Sequence, residues 1–271
     1  RDSWPSVDPS GLNADAAAYV ASTIGVRELV EGGTRPVDGQ AGTREPLLAN
    51  IAIAESGARI AGIDVDGVTW SGALVPDASL FSLPAVNEPV GLAFDGVDDL
   101  WIVDLAGNLT LYSPTGRSFP IEVEGLASGD VVRAAIPSRD GTRAALLVES
   151  GPRTNLLLSR IVRTSPTGRV GIEVQEPIRV ESKLVEVVDV AWSSADSLAV
   201  FGSESVGTLQ VIDVSIGRGA LFTQGAPEGP VSLAAAPGLP TLVAAADGVI
   251  YDNTSGTWSG RVNAASPAYP G

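Results

Sequence analysis

The chain has 271 residues, 44% hydrophobic and 18% charged, with 17 Lys plus Arg against 32 Asp plus Glu and a formal net charge of −15. That length and apolar fraction suit one large folded domain or two small ones and exclude a disordered chain. His, Cys and Met are absent, which removes Ser-His-Asp and thiol catalysis, disulfides, and the usual zinc, haem and iron–sulfur ligands.

Catalysis, if any, falls to Asp, Glu, Arg, Tyr or the lone lysine, Lys183. Nucleic acid is not an expected partner, because the whole-protein field repels phosphate and no run of Lys or Arg offsets it. No stretch approaches the roughly 18 apolar residues of a membrane span. The chain starts at Arg1 rather than Met, which reads as an excised or processed product with any targeting segment upstream.

In chain order, a turn at Asp8-Pro9-Ser10-Gly11 is followed by three short apolar runs at 16–20, 26–30 and 34–37. A helix over 12–32 is the alternative, but Thr23-Ile24-Gly25-Val26 is poor helix material, so strands are expected. The next unit is Asn50–Ala54, a turn at Glu55-Ser56-Gly57, and Arg59–Ile63. The same pattern returns as Val90–Phe94, Asp95-Gly96 and Leu100–Val103. It returns again as Val131–Ile136, Ser138–Gly141 and Arg143–Val148. Val188–Trp192 with Leu198–Phe201 follows, then Val231–Ala236 with Thr241–Ala244. A second turn recurs within the units, as Asp66-Gly67, Gly107-Asn108 and Asp247-Gly248. Asp-Gly between two apolar runs is a strong hairpin signal.

The turn residues Gly57, Gly96, Gly141, Asp196 and Gly238 are separated by 39, 45, 55 and 42 positions. That is the period of a four-stranded propeller blade. The strand after each first turn is almost continuously apolar, as expected where a blade packs against a neighbour on both faces. The predicted fold is therefore all-β: one β-propeller over 1–271, most simply six-bladed, with no room for a second domain. Residues 1–14 are a linker or the first strand of an incomplete blade. A strand from 263–271 is expected to close the ring against the N-terminal blade, since closure removes two exposed sheet edges.

The innermost strands of such a ring line its channel, and here they carry one carboxylate, Asp189, and one cation, Arg133. A glycosidase needs two carboxylates across one cavity, so Asp189 reads as a hydrogen-bonded structural residue. Asp64-Val65-Asp66-Gly67-Val68-Thr69-Trp70 distantly resembles the Asp-box turn of sialidases but has the wrong Asp-to-Gly spacing, and reads as a tight hairpin. Asp64 with Asp66, or Asp95 with Asp98 and Asp99, would offer oxygens to calcium, yet hairpin turns favour Asp for conformational reasons alone. No metal and no cofactor is expected, and no phosphate-binding glycine loop is present. Trp101 and Trp192 read as core, while Trp70 and Trp258 sit in outer-half strands.

Three elements carry a family resemblance: Val188–Trp192 with Ser197–Val200, the turn Ser138–Ala145, and the tail Ser266-Pro267-Ala268-Tyr269-Pro270-Gly271. Over roughly 15–271 the chain resembles the C-terminal propeller of the LpqB lipoproteins of actinobacteria, and the bias of 16 Arg to one Lys agrees with such a source. The resemblance implies a GerMN-like domain and a lipid-bearing Cys upstream. It also implies an extracytoplasmic protein, anchored to the cell membrane by lipid, that is not an enzyme. The family is associated with the MtrA–MtrB two-component system and acts on the extracellular domain of the sensor kinase, affecting envelope homeostasis.

The domain is accordingly expected to be a monomeric protein–protein interaction module. A propeller hydrolase using Asp or Glu and a wall-glycan or peptide-binding lectin are the alternatives. Candidate binding residues are the acidic concentrations Asp95, Asp98 and Asp99 in one connection, and Glu122, Glu124 and Asp130 in another. All six read as surface groups that do not support the fold and that either steer a cationic partner or, as part of an evenly spread acidity, only keep the protein soluble.

Overall fold

The computed structural model describes residues 48–54, 56–74, 80–84, 86–164, 171–180, 184–205, 208–216, 219–227, 230–245, 249–253 and 257–263. Blade I holds β1 (Leu48–Ile53), β2 (Arg59–Asp64), β3 (Thr69–Ala73) and β4 (Phe81–Ser82), and blade II holds β5 (Pro89–Phe94), β6 (Leu100–Asp104), β7 (Leu109–Tyr112) and β8 (Ser118–Ile121). Blade III holds β9 (Val131–Pro137), β10 (Arg143–Ser150) and the long β11 (Arg153–Thr164), whose outer partner is split into β12 (Gly171–Val174) and β13 (Ile178–Arg179). Blade IV is β14 (Glu186–Ser194), β15 (Ser197–Ser205), β16 (Thr208–Ser215) and β17 (Gly219–Gly225). Blade V is β18 (Pro230–Ala234), β19 (Leu242–Ala245), β20 (Val249–Asp252) and β21 (Ser259–Asn263). Each sheet is an antiparallel meander in chain order; blades I and II, II and III, and IV and V touch along their inner strands, while β14 of blade IV packs against β10 and β11 of blade III. These five blades agree with the predicted repeat. The sixth unit and the closing segment after Asn263 lie outside the described residues.

Second strands are apolar throughout because each of their faces meets a different neighbour. In β10, Ala144, Leu146 and Val148 pack with Trp101, Val103 and Leu111 of blade II. The intervening Ala145 and Leu147 pack with Val190, Trp192 and Leu198 of blade IV. Strand β6 divides in the same way, Trp101 and Val103 facing blade III, Leu100 and Ile102 facing Ala61 of blade I. The core is thus a series of inter-blade layers, and removing a side chain such as Leu146, fully buried here, costs about 2–5 kcal/mol.

Every described inner strand carries a β-bulge at the same place. The register skips Ala49, Val90, Arg133, Val188 and Val231, one residue per blade. A bulge re-aims a side chain and sharpens the local twist. In blades I and IV the residue after it reaches sideways: the Asn50 side-chain amide donates to the Val90 carbonyl at 3.4 Å, and Asp189 accepts from the backbone of Leu233 at 2.8 Å. These contacts align the inner strands, so that all five begin at one end of the ring, the leading end, and finish at the other, the trailing end. First and third turns of each blade lie at the trailing end; second turns and the exits to the next blade lie at the leading end.

Arginines strap the trailing end. Arg59, first residue of β2, donates to the Asp98 carbonyl in the first turn of blade II at 2.8 Å and to Ser71 at 3.1 Å. Arg143, first residue of β10, donates to Ala195 and Asp196 in the first turn of blade IV at 3.1 and 3.0 Å. At the leading end, Gly107 has φ +88, and a Cβ there would stand 2.9 Å from the Val132 nitrogen. Only glycine lets the second turn of blade II approach β9 so closely.

Candidate functional site

The first acidic concentration is largely internal. Asp95 Oδ1 accepts the backbone N–H groups of Val97 and Asp99 at 3.0 and 3.1 Å, and its Oδ2 accepts the Trp101 indole N–H at 2.8 Å. Arg163, from the overhanging end of β11, donates to the same Oδ2 and, at 2.9 Å, to Asp99 Oδ2. Asp95 is 2% exposed and Asp99 8%. Burial raises the Asp99 carboxyl above its ordinary value, against the opposing pull of Arg163. Asp98, at φ 63, accepts Ser56 from blade I at 3.0 and 2.9 Å. The expectation that these three are free surface charges therefore fails for Asp95 and Asp99, which pin blade III to blade II through Arg163. A turn rich in Asp looks exposed in sequence; what buries this one is an arginine 68 residues away.

The same device occurs once more without the arginine. Asp64 Oδ1 accepts the N–H groups of Asp66 and Val68 at 2.9 and 2.8 Å, and its Oδ2 accepts the Trp70 indole at 2.7 Å. Partial desolvation works upward on this carboxyl, but the indole and the two backbone donors prevail and hold it below its ordinary value. The expected hairpin is present, with both Asp64 oxygens engaged by protein donors and Asp66 exposed at its tip. Trp70 is half-buried, Trp258 gives its indole N–H to the Gly225 carbonyl at 2.5 Å, and Trp101 and Trp192 are core.

The second concentration differs. Glu122 and Glu124 are exposed, on the exit from blade II, where Val123 bridges Val174 in parallel and the Glu124 N–H donates to the Val174 carbonyl at 3.0 Å. Asp130 is half-buried: its carboxylate accepts Ser150 at 2.6 Å and the Ala127 N–H at 3.1 Å. The structure does not bring the two groups of candidates together. The first sits at the trailing end of the blade II sheet and the second at its leading end.

The described inner strands carry two carboxylates, the exposed Glu186 at the start of β14, which the sequence reading placed outside the strand, and Asp189. The two oxygens of Asp189 accept the backbone N–H groups of Val190 and Leu233, both at 2.8 Å. Desolvation pushes its carboxyl up to about 6, although both hydrogen bonds oppose this. Both oxygens are thus engaged in joining blades IV and V, in line with the structural role expected for it. Arg133 binds Glu149 at 2.6 Å and the Leu105 carbonyl at 2.7 Å.

Apolar side chains at the leading end were missed by reasoning from charge. Val90 and Val188, both bulge residues, are exposed, as are Leu105 in the second turn of blade II and Val185 just before β14. In the sequence a Val opens the inner-strand run at 90, 188 and 231, and nothing in its composition separates it from the core residues that follow.

Comparison with known proteins agrees with this architecture. Residues 25–270 match the family model described as the lipoprotein LpqB beta-propeller domain. The chain is similar to lipoprotein LpqB of Thermobifida fusca (strain YX), 28% identical over 99% of this chain and 49% of that protein. It therefore spans about half the length of this curated relative. Among solved structures, the beta-propeller domain of Myceliophteria thermophila Cps50 (Swd1) superposes with a TM-score of 0.52 at 13% identity, covering 79% of this chain and 73% of that one. That likeness concerns the fold alone. With the family model spanning nearly the whole chain, the protein belongs to the LpqB-type β-propeller domain family.

Proposed function

We propose that this propeller is a non-catalytic, monomeric interaction module of an extracytoplasmic lipoprotein, carried behind a GerMN-like domain and a lipid anchor. In this reading it modulates a sensor histidine kinase of the MtrB type through the kinase's extracellular domain, and so affects envelope homeostasis. The observation that carries the reading is the state of Asp189: of the two carboxylates on the described inner strands, Glu186 stands exposed at the start of β14, whereas Asp189 has both oxygens engaged by backbone donors. It is a tie between blades, not half of an acid–base pair across a channel. Family membership adds support, because the relative it matches is a lipoprotein by name.

The test has two arms. The kinase ectodomain should be retained on immobilised propeller, and failure to retain it counts against the regulatory role. Glycan and peptide substrate panels should show no turnover; turnover abolished by Asp189→Asn would establish the hydrolase instead.

A further inference from the structure

We infer that the leading end of the ring is a docking face for a protein segment that carries Lys or Arg beside aliphatic side chains. This specifies the partner surface of the interaction module proposed above and rests on that reading. Two independent features meet at this end. The first is apolar. The bulges turn Val90 and Val188 out of the inter-blade layers, to 38% and 46% exposure, while the next apolar residue of each strand packs inward. Leu105 and Val185 stand beside them, and Leu105 is held there by its N–H donating to the Glu88 carbonyl at 2.9 Å and by its own carbonyl accepting Arg133. Exposed aliphatic side chains at one end of the inner strands, two of them set there by a repeated backbone device, mark an interaction surface.

The second feature is charge. Asp66, Glu88, Glu122, Glu124, Glu186 and Glu204 are all exposed on second turns or blade exits and entrances at this end. The described arginines toward this end are Arg133, already paired with Glu149, Arg153, Arg179 at the end of β13 and Arg261 on β21, fewer than the carboxylates. At the trailing end the two signs are closely matched: Arg59, Arg143 and Arg163 bind carboxylates or carbonyls of the neighbouring blade, with Arg117, Arg139 and Arg160 on the same side, against Asp95, Asp98, Asp99, Asp140 and Asp196 in the first turns. Among the described residues the excess of carboxylates is therefore greater at the face that also exposes aliphatic groups. Such an excess attracts a cationic segment and repels an anionic lipid surface or a nucleic acid. An apolar, acidic rim selects a partner bearing both aliphatic and cationic side chains.

The absence of cysteine allows a single thiol to be placed at either end. Val188→Cys reports on the leading end and Val97→Cys, also at an exposed valine, on the trailing end; each is labelled with a photoactivatable benzophenone after its thermal unfolding is shown to match the parent. The probe is a peptide alternating Leu and Lys, with Leu–Glu and Ser–Lys peptides and anionic vesicles as comparisons. The Leu–Lys peptide should cross-link to V188C at least about five-fold more than to V97C, with the yield falling as salt rises. The Leu–Glu and Ser–Lys peptides should give background at both positions. Equal yields at the two ends, preference for V97C, equal capture of Leu–Glu, or recovery of the vesicles in place of the peptide would overturn the inference. Kinase ectodomain that cross-links only through V97C would sink the docking face and leave the interaction module standing. Leu–Lys capture at V188C by a propeller that retains no kinase ectodomain would do the reverse.

Discussion

The two ends of the ring use the same residue types for different purposes. At the trailing end, Asp95, Asp98, Asp99 and Asp196 are joined to arginines or serines of a neighbouring blade. Charge there is part of the fabric. At the leading end, Glu122, Glu124 and Glu186 stand exposed, and valines set out by bulges stand among them. The Asp95 and Asp64 hairpins condense the contrast: identical acceptor geometry, but one buried beneath Arg163 and the other open to water at the leading end. The lesson is that formal charge says little about role until the partner of each carboxylate is known.

The largest effect that would break this comparison is at the trailing end. Asp95→Ala removes the acceptor for two backbone N–H groups, the Trp101 indole and Arg163. It should lower the unfolding free energy by about 3 kcal/mol in urea titration. A loss below about 1 kcal/mol would mean that the network does not hold blades II and III together.

The next effect is a pH dependence from Asp189. Its folded carboxyl titrates at about 6 against 3.8 for the free group, so between those values the native state keeps a proton that the unfolded chain has released. Its contribution to stability is therefore most favourable below pH 4 and declines as pH rises through 6, by on the order of 2 kcal/mol. Unfolding titrations of parent and Asp189→Asn between pH 4 and 7 should differ in slope by this amount, with the variant flatter. Equal slopes would remove Asp189 as the cause.

Smaller effects should come from the leading end. Asp64→Ala leaves a hairpin turn and an indole without their acceptor in an exposed setting, a loss of about 1 kcal/mol by the same titration. Glu122→Gln with Glu124→Gln should change stability by less than about 0.5 kcal/mol, because both side chains are exposed. A double variant as damaging as Asp95→Ala would erase the distinction between the ends.

Strands and first turns were legible in the sequence because they are local. Asp-Gly turns and runs buried on both faces leave the same trace in every unit, and β2, β6, β10, β15 and β19 fall where those runs predict. The length of the third unit was legible too, as the 12-residue β11 shows. Register was not. A bulge shifts pairing by one residue without altering composition, so Val90 and Val188 looked like ordinary core. The burial of Asp95 was hidden for a different reason, since Arg163 lies in another blade and only the fold brings it near. One signal was available: Asp64 to Trp70 and Asp95 to Trp101 share a spacing of six, and in both the indole N–H reaches the carboxylate.

The central claim is that the leading end meets the partner, and the association rate with a kinase extracellular domain tests it most directly. The rate should be measured across salt concentrations for the parent, for a leading-end variant with Glu122, Glu124 and Glu186 all changed to Gln, and for Asp196→Gln at the trailing end. The account predicts a rate that falls with salt and is slowed several-fold by the leading-end changes but not by Asp196→Gln. A rate indifferent to salt, or slowed only by the trailing-end change, would contradict it.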